Sequence, residues 1–169
     1  MTILKFRAVE ERDLPEIHRI LTAEHVCRGT MRLPLADMEM ARKRMAPEPG
    51  VIKIAAMRDG GVAGIGVLVT YPGNPRKWHS GELDLVAVHP DHRGHGVGAA
   101  ICVELLRLCD DWLGLQRVEL MVWASNVSAI RLYERLGFEL EGTKRNYVRR
   151  GSGYDDACLM ARFKGQSNG

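Results

Sequence analysis

A chain of 169 residues with 46% hydrophobic and 27% charged side chains has the size and composition of one soluble globular domain. Its 24 Lys and Arg against 21 Asp and Glu leave a net charge of +3, which argues against a nucleic-acid-binding surface and suits a small anionic ligand. No stretch approaches the roughly 20 apolar residues of a membrane span, and the opening MTILKFRAVEERD has neither the apolar core nor the cleavage site of a signal peptide.

Alternation from Ile3 to Val9 predicts a first strand. Asp13-Leu14-Pro15-Glu16 then has the form of a helix start, with Asp13 as N-cap and Glu16 three residues on. Ile17, Ile20 and Leu21 supply that helix with an apolar face. A second helix is expected over Ala36 to Met45, ended by the breakers from Pro47 to Gly50. Two strands, Val51 to Arg58 and Val62 to Tyr71, flank Asp59-Gly60-Gly61, a strong hairpin signal. The loop YPGNPRKWH leads to a strand over Glu82 to Val88. A glycine-rich turn follows, then a helix over Val97 to Leu113. Its Val97, Ile101, Leu105, Leu108 and Trp112 recur at helical spacing, and Gly114 is the expected closing residue. A strand at Val118 to Trp123 and a helix at Val127 to Leu136, closed by Gly137, come next. Strand character at Phe138 to Glu141 precedes a hairpin of Arg145 to Arg150 and Tyr154 to Phe163 around Gly151-Ser152-Gly153. The order βααβββαβαββ makes one mixed α/β domain over residues 1–164, with a frayed tail at 165–169.

The turn reads Arg93-Gly94-His95-Gly96-Val97-Gly98. Glycines between a strand and a helix N-terminus let several backbone N–H groups converge, and the helix adds its free donors and positive dipole end. A pyrophosphate is the natural guest; a tight turn that holds nothing would use the same residues. No Lys-Ser/Thr follows, which excludes a Walker A loop. The position past the chain's midpoint, after an antiparallel hairpin, argues against a dinucleotide fingerprint. His89, His92 and His95 recur at every third position, but such a loop turns backbone donors inward, and no metal site is expected. Cys27, Cys102, Cys109 and Cys158 lack metal or disulfide spacing and read as free thiols of a cytoplasmic protein. Met31, Met38, Met40 and Met45 read as packing residues of the helical cover.

Arg93-x-x-Gly96-x-Gly98 resembles the Q/R-x-x-G-x-G/A signature of GNAT N-acetyltransferases. Downstream, Asn126-x-x-Ala129-x-x-x-Tyr133-x-x-x-Gly137-Phe138 resembles the family's second recurrent block, and FRAVEERDLPEI its first strand and helix. Within the family, GTKRNYVRRGSGYDDACLMARF and CDDWLGLQRVEL are most similar to bacterial L-amino-acid N-acetyltransferases; polyamine acetyltransferases have a related tail. The resemblance implies a mixed, mostly antiparallel sheet flanked by helices and splayed between its fourth and fifth strands. It implies acetyl-CoA as co-substrate, direct transfer to a small primary amine, and a homodimer without nucleic-acid or membrane partners. It places the pyrophosphate at Arg93, Gly94, His95, Gly96, Val97, Gly98 and Ala99. The pantetheine arm falls to Asn126 and to the backbone of Val86, Ala87 and Val88, where a bulge would aim an N–H at the thioester carbonyl.

Acetyl transfer needs a neutral amine, a polarised carbonyl and a stabilised leaving thiolate. Tyr133, two helical turns beyond Asn126, is the candidate general acid. Glu82 and Asp84 alternate with Val86 and Val88, which puts all four on one face, and either carboxylate is a candidate base acting through water. An α-amine, with a pKa of about 7.7–8.0, needs little help to lose its proton. Arg28 and Arg32, in the segment HVCRGTMRLP that resembles the family's substrate-side loop, are candidates for meeting a substrate carboxylate. Polyamine or antibiotic amine acetylation, and a non-catalytic acyl-CoA-binding module, are the alternatives.

Overall fold

The computed structural model describes residues 3–165; residues 166–169 of the expected tail lie outside the described residues. These form β1 (Lys5–Ala8), α1 (Leu14–Leu21), α2 (Glu24–Gly29), α3 (Met38–Met45), β2 (Val51–Arg58), β3 (Gly61–Thr70), β4 (Ser80–Val88), α4 (Val97–Arg107), β5 (Arg117–Trp123), α5 (Val127–Arg135), β6 (Glu139–Arg150) and β7 (Gly153–Phe163). The strands make one sheet in the order β1-β2-β3-β4-β5-β7-β6. Only the β4–β5 pair is parallel. The expected mixed, mostly antiparallel sheet is therefore present.

Several elements follow from local chemistry. Asp59 and Gly60 take φ of 51° and 84°, the pair of positive angles that turns β2 directly into β3. Asp37 caps α3 by accepting from the Met40 N–H at 3.0 Å, so that helix starts two residues later than expected. Gly114, at φ 60°, ends the long helix, but its last turn, Leu108–Leu113, has widened into a π-helix. Asp13 does not cap α1 as expected. Its buried carboxylate accepts two hydrogen bonds from Arg7 at 2.7 Å and one from the Glu10 N–H at 2.8 Å, tying β1 to the start of α1. The Arg7 bond holds the Asp13 carboxyl below its usual range despite the opposing cost of burial. The two segments expected at Phe138 to Glu141 and Arg145 to Arg150 form one strand, β6. Its register breaks between Leu140 and Gly142 and between Lys144 and Val148.

Two apolar clusters sandwich the sheet. On one face α4 presses Val97, Ile101 and Leu105 against Leu68 and Leu83. On the other, Ile17, Ile20, Ala41 and Met45 of α1 and α3 cover Ile65, Val67 and Leu85. The close approach of α4 depends on β3 glycines. A Cβ on Gly66 would lie 2.6 Å from Ile101 Cγ2, and one on Gly64 would lie 2.8 Å from Ile101 Cδ1.

The middle of β4 departs from a regular strand. Leu83 pairs with Leu68 and Leu85 with Val67, which leaves Asp84 as the extra residue of a bulge. The alternation reverses there. Leu83 packs on the α4 side, Leu85 and Ala87 pack on the α1–α3 side, and Val86 and Val88 return to the α4 side. Glu82 therefore lies opposite Val86 and Val88, and the shared face expected from a period of two is corrected. The bulge itself falls at Asp84, ahead of the Val86–Val88 segment where it was expected. β4 and β5 pair only at Ser80↔Arg117, Gly81↔Val118 and Glu82↔Glu119. Beyond Glu82 the two strands part.

Candidate active site

Past the bulge, the edge of β4 that faces β5 has no strand partner, so its backbone N–H and C=O groups are offered to the gap. Helix α2, which the sequence did not announce, bridges the two lips. His25 Nε2 donates to the Val88 carbonyl on β4 at 2.9 Å, and the Trp123 indole on β5 donates to the Arg28 carbonyl at 3.1 Å.

A cleft of about 390 Å³ opens on the α4 and α5 side of the gap. Its walls include Val86, Ala87, Val88, Arg93, Gly94, Gly96, Val97, Gly98 and Asn126, all expected at a cofactor site, together with Tyr133, the candidate general acid. His25, His92, Cys102, Ser128 and Leu132 also line it, and the sequence assigned none of them to a cofactor. Of the expected residues, His95 and Ala99 do not line this cleft. Gly94 and Gly96 both hold φ of 75°, and a Cβ on either would meet nothing within 4 Å. The backbone angle demands glycine at these two positions, and the space before them is open. The first ladder bond at this end of α4 runs from the Ala100 N–H to the Gly96 carbonyl at 3.0 Å. The N–H groups of Val97, Gly98 and Ala99 therefore precede the ladder, as donors at the positive end of the helix. His89 is a structural residue here: its Nδ1 accepts from the Asp91 N–H at 3.2 Å. Open backbone, free donors and Arg93 fit a ligand that carries phosphates.

Asn126 caps α5. Its Oδ1 accepts from the Ala129 N–H at 3.3 Å and from the Ser128 hydroxyl at 3.2 Å. The same cap starts the helix that carries Tyr133. The Tyr133 ring meets Phe138 edge-on at 5.8 Å, and its hydroxyl has no hydrogen-bond partner among the described residues. Burial, reinforced by nearby Cys102, pushes the phenol well above its usual pKa. Tyr133 thus presents a neutral O–H donor to the cleft. Burial also pushes the Cys102 thiol up to about 12, so a thiol and not a thiolate borders this space, and it is a poor nucleophile at neutral pH.

On the α3 side of the gap lies a second cavity of about 820 Å³, with Arg32, Arg44, Glu82, Asp84, Met121 and Trp123 among its walls. Gly29, Thr30, Leu83, Asp84 and Met121 line both spaces. They form a throat where the β-strands part. The three candidate catalytic residues are distributed around it. Tyr133 lines the first cleft, Glu82 only the second cavity, and Asp84 both. The Glu82 carboxylate accepts from the Tyr71 hydroxyl at 3.2 Å, and Asp84 is ion-paired with Arg44. Arg32 lines the second cavity as expected. Arg28 lines neither space: its guanidinium pairs with Glu24 one turn back, at 2.5 Å, on the exposed side of α2. Arg44, in the run Arg42-Lys43-Arg44, was missed because nothing local distinguishes it from its neighbours.

A family profile, described as the acetyltransferase (GNAT) family, matches residues 14–138, the stretch that holds both cavities and the throat. The chain belongs to the GNAT family. It is accordingly an acyltransferase that uses acyl-CoA, and the binding-module alternative falls. Over 164 residues this GNAT chain is 34% identical to the L-amino acid N-acetyltransferase AaaT of Escherichia coli strain K12, covering 97% of this chain and 100% of that one. The ribosomal-protein-S18-alanine N-acetyltransferase of Escherichia coli superposes with a TM-score of 0.76 at 25% identity, over 95% and 94% of the two chains. The spermidine N-acetyltransferase of Vibrio cholerae, solved with CoA and spermine, gives 0.81 at 22% identity, over 95% of each chain. Among the described residues no helix is long and apolar enough to cross a membrane.

Proposed function

We propose that this enzyme moves an acetyl group directly from acetyl-CoA to the α-amine of an L-amino acid or a close analogue, with no acetyl-enzyme. The observation that carries the reading is the throat. A cleft with a phosphate cradle and a charged cavity meet in a throat beside the bulged Asp84, so donor and acceptor approach from opposite sides of the splayed sheet. The full-length likeness to an amino-acid acetyltransferase supports the choice of amine.

In this reading the glycine turn, Arg93 and the free N–H groups of α4 hold the pyrophosphate. Asn126 and the unpaired edge of β4 hold the pantetheine arm. Bound acetyl-CoA supplies the thioester carbonyl that the amine nitrogen attacks. Free N–H groups on β4 stabilise the charge that grows on its oxygen. The C–S bond breaks, and Tyr133 gives its hydroxyl proton to the departing sulfur. The proton shed by the amine passes through water to Glu82 or Asp84; as products leave, that carboxyl releases it and the Tyr133 phenolate regains one through solvent, which restores the enzyme. The same family likeness leads us to infer a cytoplasmic homodimer.

One observation favours a second reading, a polyamine acceptor. Asp37, Glu39, Glu48, Glu82 and Asp84 outnumber Arg32, Lys43 and Arg44 around the larger cavity. The deciding experiment measures CoA release with free L-amino acids, polyamines and short peptides. Turnover of amino acids without turnover of spermidine is expected. Acetylation of spermidine and of no amino acid would overturn the substrate assignment.

A further inference from the structure

The larger cavity carries a mismatch of hydrogen-bond partners that the residue count conceals. Four of its five carboxylates are already engaged or turned to other partners. Asp37 caps α3. Glu39 stands 3.6 Å from Arg42. Glu82 is bonded to Tyr71. Glu48 lies close enough to Lys53 for its charge to favour the ammonium form. Asp84 is left as the carboxylate that faces the interior guanidiniums, and there are two of them.

Arg44 reaches Asp84 with one terminal nitrogen, but its Nε is buried without a hydrogen-bond partner. The Arg32 side chain has no hydrogen-bond partner at all among the described residues. Burial lowers the Arg32 pKa, the charge of Arg44 lowers it further, and Asp84 offsets this only in part. Two guanidiniums that repel each other, one with an orphaned buried N–H, make a site that lacks an anion. The missing group is small and planar, because it must satisfy Arg44 Nε and the Arg32 fork beside a carboxylate already in place.

We propose that Arg32 and Arg44 together receive the carboxylate of the amine substrate, and that Asp84 faces its amino group. This inference rests on the amino-acid reading above and gives it a specificity device. In an α-amino acid, one carbon separates carboxylate from amine. A carboxylate seated on the two arginines therefore delivers the nitrogen beside Asp84, in the throat that opens onto the cofactor cleft. An amine without a carboxylate leaves Arg32 and the buried Arg44 Nε without a partner, and a polyamine adds further positive charge. The site selects amino acids by what they neutralise.

The test compares an L-amino acid that the wild type turns over with its carboxamide, which keeps the side chain and α-amine but loses the charge. The wild type should prefer the acid by about 10-fold or more in kcat/KM. Arg32→Met, which breaks no protein hydrogen bond, should raise KM for the acid by about 10–100-fold and change KM for the amide by less than about threefold. Arg44→Met should weaken the acid over the same range, but it also frees Asp84, so the acid-against-amide comparison is read on Arg32→Met; Arg32→Lys should restore part of the preference. Acetyl-CoA affinity and amide turnover report that each variant is folded; should Arg44→Met fail there, Arg32→Met decides alone. Parallel losses for acid and amide, or no loss for either, would overturn the proposal. A wild type that acetylates acid and amide equally would also sink it, while leaving amino-acid acetylation standing. Turnover of spermidine alone would remove both.

Discussion

Tyr133→Phe separates chemistry from structure because the hydroxyl has no protein partner to lose. The ring keeps its edge contact with Phe138 at 5.8 Å, and no acceptor among the described residues is orphaned by the change. Stability should therefore shift by no more than about 0.5 kcal/mol. Acetyl-CoA binding, which rests on backbone donors and the glycine turn, should stay within about threefold. The single-turnover rate should fall by about 10²–10⁴-fold, the usual worth of a positioned proton donor, or roughly 3–5 kcal/mol of barrier. The pH profile carries a second signature. Burial lifts the phenol above its ordinary pKa of about 10, so the donor stays protonated below that value. The wild-type rate should rise as the amine deprotonates and show no loss from Tyr133 up to about pH 10. Rapid-quench rates beside calorimetric acetyl-CoA affinities measure both. If the variant keeps more than about a third of the wild-type single-turnover rate, less than 1 kcal/mol is at stake and the general-acid role is refuted.

Gly96→Val forces a β-branched residue to φ 75° and sets its side chain in the open space before the α4 donors; CoA affinity by calorimetry should fall about 100-fold, and unchanged affinity would make the loop a turn only. Asp13→Asn leaves Arg7 without its carboxylate and should cost about 3 kcal/mol in urea unfolding. Because Arg7 lowers the Asp13 pKa, the wild-type contribution is complete above the ordinary carboxylate pKa of about 4 and is lost as pH falls through the lowered value. The variant should therefore lose less stability than the wild type on acidification through that window, and identical acid limbs would refute the assignment.

What could be read in the sequence was local. Asp59-Gly60 and Gly94-x-Gly96 declare backbone angles that few other residues adopt, so the hairpin and the glycine turn were legible without the fold. Tyr133 and Asn126 were legible through the spacing of a family block. The unreadable parts depend on pairs distant in the chain. Helix α2 has only six residues, too few to show a period, and its role depends on a bond from His25 to a carbonyl 63 residues away. Arg44 meets Asp84 across 40 residues. The bulge is a property of β3–β4 register, and no residue in Glu82-Leu83-Asp84-Leu85 signals where the alternation reverses. Reading β4 as regular put Glu82 on the wrong face for that reason.

The bulge also explains why two chemically opposed spaces can share one wall. In the proposed reaction the departing sulfur needs a neutral donor, a part we assign to the half-buried Tyr133 in the cleft that Val86 and Val88 also line. The incoming amine has to be drawn from water by charges, the part we propose for Arg32, Arg44 and Asp84. A regular strand would have set Glu82 and Asp84 on the same face as Val86 and Val88, and carboxylates would then have flanked the proposed thioester position and opposed the growing negative charge. One extra residue turns the acidic half of β4 toward the substrate cavity and the apolar half toward the cofactor cleft. It does so beside Glu82, where pairing with β5 ends and the sheet opens. Asp84 is the residue that makes this turn, which is why it alone of the candidate catalytic groups faces both sides.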